Sequence, residues 1–162
     1  MKNIILIALV LILGSMVYFA LSKTNQNNLE QIIGTKIESN GITMTLHKSP
    51  YCGCCGSYGE YMEDLGYEVI VKETEDMDKV KNDFGVPYEL GSCHTTRIDG
   101  YVVEGHVPEE AIKKLLMEKP NIKGIGMSGM PSGSPGMPGT KEDFMVYEIN
   151  NDGTKGNLFL KL

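Results

Sequence analysis

Residues 42–66 read ITMTLHKSPYCGCCGSYGEYMEDLG. Ile42, Met44 and Leu46 alternate with Thr43, Thr45 and His47, which is the period of a half-buried strand. Tyr58, Tyr61, Met62 and Leu65 then recur at helical spacing, and Gly66 stands where a helix stops. Between them, at the strand-to-helix junction, lies Cys52-Gly53-Cys54-Cys55.

Further along, Tyr67, Val69 and Val71 alternate as a second strand. Asp76 caps a short helix that carries Met77, Val80 and Phe84 and ends at Gly85. Cys93 to Ile98 and Tyr101 to Glu104 read as a hairpin turning at Asp99-Gly100. Pro108 opens a helix with Glu109 and Glu110 in its first turn and Ala111, Ile112, Leu115 and Leu116 inward, and Pro120 stops it. Strands alternating with helices imply βαβ units. A βαβ unit followed by a hairpin and a helix is the thioredoxin-like α/β arrangement. Residues 124–139, GIGMSGMPSGSPGMPG, hold six glycines and three prolines and are expected to form a loop without regular structure. Phe144 to Ile149 and Leu158 to Leu162 flank Asn151-Asp152-Gly153 as an added C-terminal β-hairpin.

Upstream, Ile4 to Leu21 is an uncharged apolar run bounded by Lys2 and Lys23. It reaches the lower end of the length that spans a bilayer. Residues 1–22 therefore read as a transmembrane anchor, with residues 4–21 in the cytoplasmic membrane. A signal segment cleaved after Ala20-Leu21-Ser22 is the other reading. Either way the soluble domain lies on the extracytoplasmic, periplasmic side. The polar stretch 23–40 is a tether, and 41–162 is the folded domain.

The net charge is −6 and Arg97 is the sole arginine, so no basic surface exists to neutralise phosphates and nucleic acid is excluded as a partner. The chemistry lies in the cysteines. Cys52 and Cys55 have the spacing of a redox dithiol at a helix N-terminus, where the helix dipole favours thiolate. Cys54 complicates that reading, because a third thiol invites mispairing. Neighbours such as Cys54 and Cys55 do not readily bridge each other. A soft metal held by the thiolates accounts for all three. Thiolates select Cu(I) and, less exclusively, zinc. Cys93 opens the third strand and is expected to face the first helix's N-terminus. His94 beside it and His106 after the fourth strand offer imidazoles. His47 is a weaker candidate, and Met127, Met130 and Met137 can supply thioethers from a lid over the site.

At these residues the sequence resembles the periplasmic copper-resistance CopG family, long catalogued as a domain of unknown function. The matching stretches are Ser49-Pro50-Tyr51-Cys52-Gly53-Cys54-Cys55, Gly85-Val86-Pro87, Ser92-Cys93-His94-Thr95, Gly100 to Pro108, Gly129-Met130-Pro131 and Gly133 to Met137. The resemblance implies a thioredoxin-like fold and copper held by Cys52, Cys54, Cys55, Cys93, His94 and His106. It also implies a role in copper resistance or Cu(I)/Cu(II) interconversion, with other copper-resistance or efflux proteins as partners. The N-terminal anchor is a departure from that family. The competing function is a thiol–disulfide oxidoreductase using Cys52 and Cys55.

Overall fold

The computed structural model describes residues 41–162. The anchor and tether read from residues 1–22 and 23–40 lie outside the described residues. Among the described residues no helix is long and apolar enough to cross a membrane.

The fold is thioredoxin-like α/β, built on one seven-stranded sheet. Strand β1 (Thr43–Lys48) leads through helix α1 (Gly53–Asp64) to β2 (Glu68–Glu73), which pairs parallel to β1. Helix α2 (Met77–Phe84) and a 3-10 turn (Tyr88–Leu90) bring the chain to β3 (His94–Ile98) and β4 (Tyr101–Glu104). Helix α3 (Glu109–Glu118) precedes β5 (Gly124–Gly126), β6 (Met145–Ile149) and β7 (Lys155–Lys161). The strand order is β2-β1-β3-β4-β5-β6-β7.

Local sequence explains each element. Met44 and Leu46 point from β1 into the core, as alternation requires. On α1, Cys55, Tyr58, Gly59 and Met62 are buried at spacings of three and four, so one helical stripe faces the sheet. Gly59 permits a close approach: a Cβ there would stand 3.3 Å from Leu46 Cδ2. Asp76 caps α2 by accepting from the Lys79 amide at 2.9 Å, and Gly85 ends it in the left-handed region at φ 66°. The hairpin between β3 and β4 turns at Asp99 (φ 45°) and Gly100 (φ 85°), as expected for this dipeptide. Ala111, Ile112, Leu115 and Leu116 pack α3 against the main core, which includes Met44, Met62, Val103 and Ile125. Leu90, Val102 and Ile149 form a smaller cluster. Adjacent Val102 and Val103 alternate across β4 and supply one cluster each.

One expectation is corrected. Residues 124–139 do not all form a loop, because Gly124–Gly126 are strand β5, paired parallel to β4 and antiparallel to β6. The glycines serve a close backbone approach: a Cβ on Gly124 would fall on the Val102 carbonyl. The C-terminal hairpin joins the sheet through β5 and carries it on to the edge strand β7.

Candidate metal centre

The site sits where α1 begins. Cys52 is the N-cap residue in extended conformation and makes no side-chain capping bond. Cys54 and Cys55 occupy the first turn, which has no acidic residue to compete with them for the positive end of the helix dipole. The sequence reading expected three thiolates here. The structure instead joins Cys52 to Cys55 in a disulfide and leaves Cys54 and Cys93 as free thiols. The pairing follows from the helix, since a turn places residues three apart on one face, with 5.4 Å between their Cα atoms. Cys54 Sγ lies 3.6 Å from Cys52 Sγ.

The other donors come from the start of β3 and the turn after β4. Cys55 Sγ is fully buried and lies 3.7 Å from the Cys93 carbonyl oxygen. Cys93 Sγ is 3.5 Å from His94 Nδ1. His94, His106 and Tyr58 cluster as three rings, edge-on for the two histidines with centroids 4.8 Å apart and tilted for Tyr58 and His94 at 4.6 Å. Tyr58 is pinned by donating its hydroxyl to the Val107 carbonyl at 2.9 Å. The donor atoms form two overlapping groups, each within a 4.8 Å span. Cys52, Cys54, Cys55 and Cys93 make one, and Cys55, Cys93, His94 and His106 the other. All six residues singled out in the sequence are therefore brought together. His47 is not among them: it sits on β1 with its ring edge-on to Phe84.

The imidazoles are arranged as ligands. His106 Nδ1 is 2.8 Å from the Pro135 carbonyl oxygen. A carbonyl can only accept, so Nδ1 carries the proton and Nε2 presents its lone pair. Nε2 of both His94 and His106 is buried with no hydrogen-bond partner among the described residues. A buried imidazole nitrogen without a partner is costly, and a bound cation removes that cost. The residues therefore fit a soft or borderline metal.

The same burial fixes the protonation states. Burial holds His94 well below the ordinary imidazole range, and nearby His106 and Lys81 add to the shift. Burial also lowers His106, offset in part by the Pro135 carbonyl. In the unfolded chain both titrate near 6.5. Below that pH the unfolded chain binds more protons than the folded one, so stability falls with pH until the depressed folded values are reached. The metal-free protein is expected to keep a constant urea midpoint above pH 7.5 and to lose stability toward pH 5.5, with a smaller loss in His94→Asn. A wild-type midpoint unchanged across that range would contradict this reading. The Cys93 thiol is pushed up to about 11, chiefly by burial and then by Cys54, while Ser92 Oγ offsets part of the shift. Cys93 is therefore a protonated thiol at neutral pH, and a metal must displace that proton to bind it.

The segment after β5 covers the site. Ser92 Oγ donates to the Gly129 carbonyl at 2.9 Å, and His106 holds Pro135. Gly136 lies so close to α1 that a Cβ there would meet the Ser57 carbonyl at 2.6 Å. Two of the three methionines separate. Met127 is buried in the core and is no lid ligand, whereas Met130 is half exposed with Sδ 3.9 Å from Cys54 Sγ. Metal–sulfur bonds near 2.3 Å at a trigonal angle place two sulfurs about 4.0 Å apart, so this pair has the spacing of shared ligands.

Sequence reasoning passed over Glu104 and Lys81. Glu104 is fully buried at the end of β4. It accepts from the Ser92 amide at 2.7 Å, the Thr95 hydroxyl at 2.6 Å and Lys81 Nζ. It thereby fixes the backbone on both sides of Cys93 and His94. The available signal was an acid in a strand that otherwise reads Tyr-Val-Val.

Residues 90–137 match the family described as "Protein of unknown function, DUF411". No curated protein matches the chain. Two solved structures are similar. "Copper resistance protein copG- Form 2" is 36% identical, with a TM-score of 0.70 and coverage of 76% of this chain and 99% of that one. "Copper resistance protein copG- Form 1" is 36% identical, with a TM-score of 0.69 and coverage of 75% and 97%.

Proposed function

We propose, from the premise that this chain belongs to the copper-resistance CopG family, that it binds copper as Cu(I) through Cys52, Cys54, Cys55 and Cys93 with His94 and His106. The observation that carries this reading is the pair of buried, unpartnered imidazole nitrogens beside four sulfurs. Four sulfurs select Cu(I). Zinc would fit one closed four-ligand group, which leaves two of the six donors unused. Because the two donor groups share Cys55 and Cys93, more than one ion can be held, bridged by those sulfurs. Met130 is placed to add a thioether beside Cys54. Cu(II) is compatible with the imidazoles but less so with a thiol-rich set. The chain serves copper homeostasis by sequestering Cu(I) or passing it to other copper-resistance or efflux proteins.

Anaerobic titration of the reduced protein with Cu(I) against a competing chelator is expected to saturate above one copper per chain. X-ray absorption of the loaded protein should show a short copper–copper path. Saturation at one copper, without that path, would leave a mononuclear carrier.

Residues 4–21 are proposed to anchor the chain in the cytoplasmic membrane with the domain on its extracytoplasmic face. After carbonate extraction the protein is expected to stay with the membranes. A soluble product beginning at Lys23 would show that the segment is a cleaved signal.

The second reading, a thiol–disulfide oxidoreductase, is favoured by the Cys52–Cys55 disulfide at a helix N-terminus. Reduction of insulin disulfides by the metal-free protein, unaffected by loss of Cys54, would support it over the metal-binding reading.

A further inference from the structure

We propose that this chain carries an internal thiol–disulfide exchange coupled to metal uptake, in which Cys54 displaces Cys55 from its disulfide with Cys52 and the freed Cys55 completes the inner donor group. This rests on the metal-binding reading of the same site.

With Cys52 and Cys55 joined, neither donor group is whole, because Cys55 belongs to both. An oxidising compartment would keep that bond closed, so metal uptake would depend on an outside reductant. The geometry offers another route. Cys54 is a free, partly exposed thiol whose sulfur touches the disulfide at Cys52 Sγ, 3.6 Å away. Attack by a neighbouring thiolate on a disulfide sulfur is the ordinary route of exchange.

The chain permits the product. Cα atoms two residues apart are held within about 7 Å by the backbone itself, at the edge of disulfide reach. The intervening residue is Gly53, and a Cβ there would meet nothing within 4 Å, so the turn has room to adjust. Cys52 is only the N-cap residue, so its movement breaks no side-chain cap.

The step balances without a co-reactant. Cys54 gives its proton to solvent and its sulfur bonds to Cys52 Sγ. The Cys52–Cys55 bond breaks, and the electron pair leaves on Cys55 as thiolate. One disulfide is present before and after, so nothing is oxidised or reduced overall. The freed Cys55 sulfur lies within 4.8 Å of the donor atoms of Cys93, His94 and His106. Two sulfurs and two imidazoles form a complete four-ligand set. A metal that binds this set and not the Cys52–Cys55 form draws the exchange toward the Cys52–Cys54 disulfide by mass action.

The test uses the full chain in detergent, air-oxidised to one disulfide, with zinc as a probe that cannot change oxidation state. Acid quenching and N-ethylmaleimide labelling at low pH freeze the exchange, and fragmentation mass spectrometry locates the labels. Labels are expected on Cys54 and Cys93 without zinc, and on Cys55 and Cys93 with it. Oxidised Cys54→Ser is expected to lose zinc uptake and to regain it on adding reductant. Labels that stay on Cys54 with zinc present, labels on Cys52 and Cys54, or zinc uptake by oxidised Cys54→Ser equal to wild type would each overturn the exchange. Failure of the fully reduced wild type to bind either zinc or Cu(I) would bring down the metal-binding reading, and the exchange with it.

Discussion

Cys93→Ser is expected to weaken Cu(I) binding by on the order of 100-fold or more, beyond the effect of replacing Cys52, Cys54 or either histidine. Loss of a residue that only supports a ligand already costs about 10- to 100-fold, and a ligand shared by two groups should cost more. Cys93 and Cys55 are the two residues common to both donor groups. Cys52 and Cys54 belong to one group, and His94 and His106 to the other, so their loss leaves a four-ligand set intact. Cys55 is the poorer test, because it is fully buried and its replacement disturbs the core as well as the site. Cys93 is only partly buried, and serine keeps its shape. A hydroxyl is a hard, neutral donor at any working pH, mismatched to Cu(I). The measurement is anaerobic competition with a Cu(I) chelator, with the urea midpoint as a control for folding. Wild-type affinity in Cys93→Ser, together with its loss in Cys54→Ser, would confine the metal to the three cysteines at the start of α1, Cys52, Cys54 and Cys55.

The residues that proved legible in the sequence are those whose signal is local. Alternation marked β1, helical spacing marked α1, Asp76 and Gly85 bracketed α2, and Asp99-Gly100 turned the β3–β4 hairpin. Each depends on neighbours within a few residues, which is what a sequence displays. The six candidate donors that the fold gathers were legible because their residue types are scarce and clustered. Strand β5 was hidden, because Gly124 and Gly126 carry no side-chain pattern and their purpose is a contact with β4, more than twenty residues earlier. Met127 misled for a related reason. It sits among loop-forming residues, yet the hydrogen bond that its N–H donates to the Glu104 carbonyl continues the β5 pairing by one residue, and its side chain is buried in the core. The disulfide was underweighted because Cys54 looked like a competitor for its partners. The helix settles the choice, since it sets Cys52 and Cys55 on one face with 5.4 Å between their Cα atoms, and Cys54 is left as a free thiol beside the bond.

Glu104→Ala is expected to destabilise the metal-free protein by about 3–5 kcal/mol, the usual cost of removing one partner of a buried ion pair. The carboxylate is fully buried while the side chain of Lys81 is only 16% exposed, so the substitution leaves an ammonium with little water and the Thr95 hydroxyl as its remaining partner. It also leaves the Ser92 amide and the Thr95 hydroxyl without their acceptor. The two costs separate in a double mutant. Glu104→Leu with Lys81→Met removes both charges and should recover most of the ion-pair cost, because an apolar pair can replace a buried salt bridge. It cannot recover the bonds to Ser92 and Thr95. Those two residues bracket Cys93 and His94, so the deficit that remains falls on the segment carrying a shared sulfur and an imidazole. The double mutant is therefore expected to regain stability while its Cu(I) affinity stays about tenfold or more below wild type, as for loss of an outer-shell partner. Glu104 would then be a positioning residue for the metal centre. Urea midpoints and Cu(I) competition on the same samples decide the matter. Full recovery of both quantities in the double mutant would reduce Glu104 to a partner for Lys81, with no hold on the site.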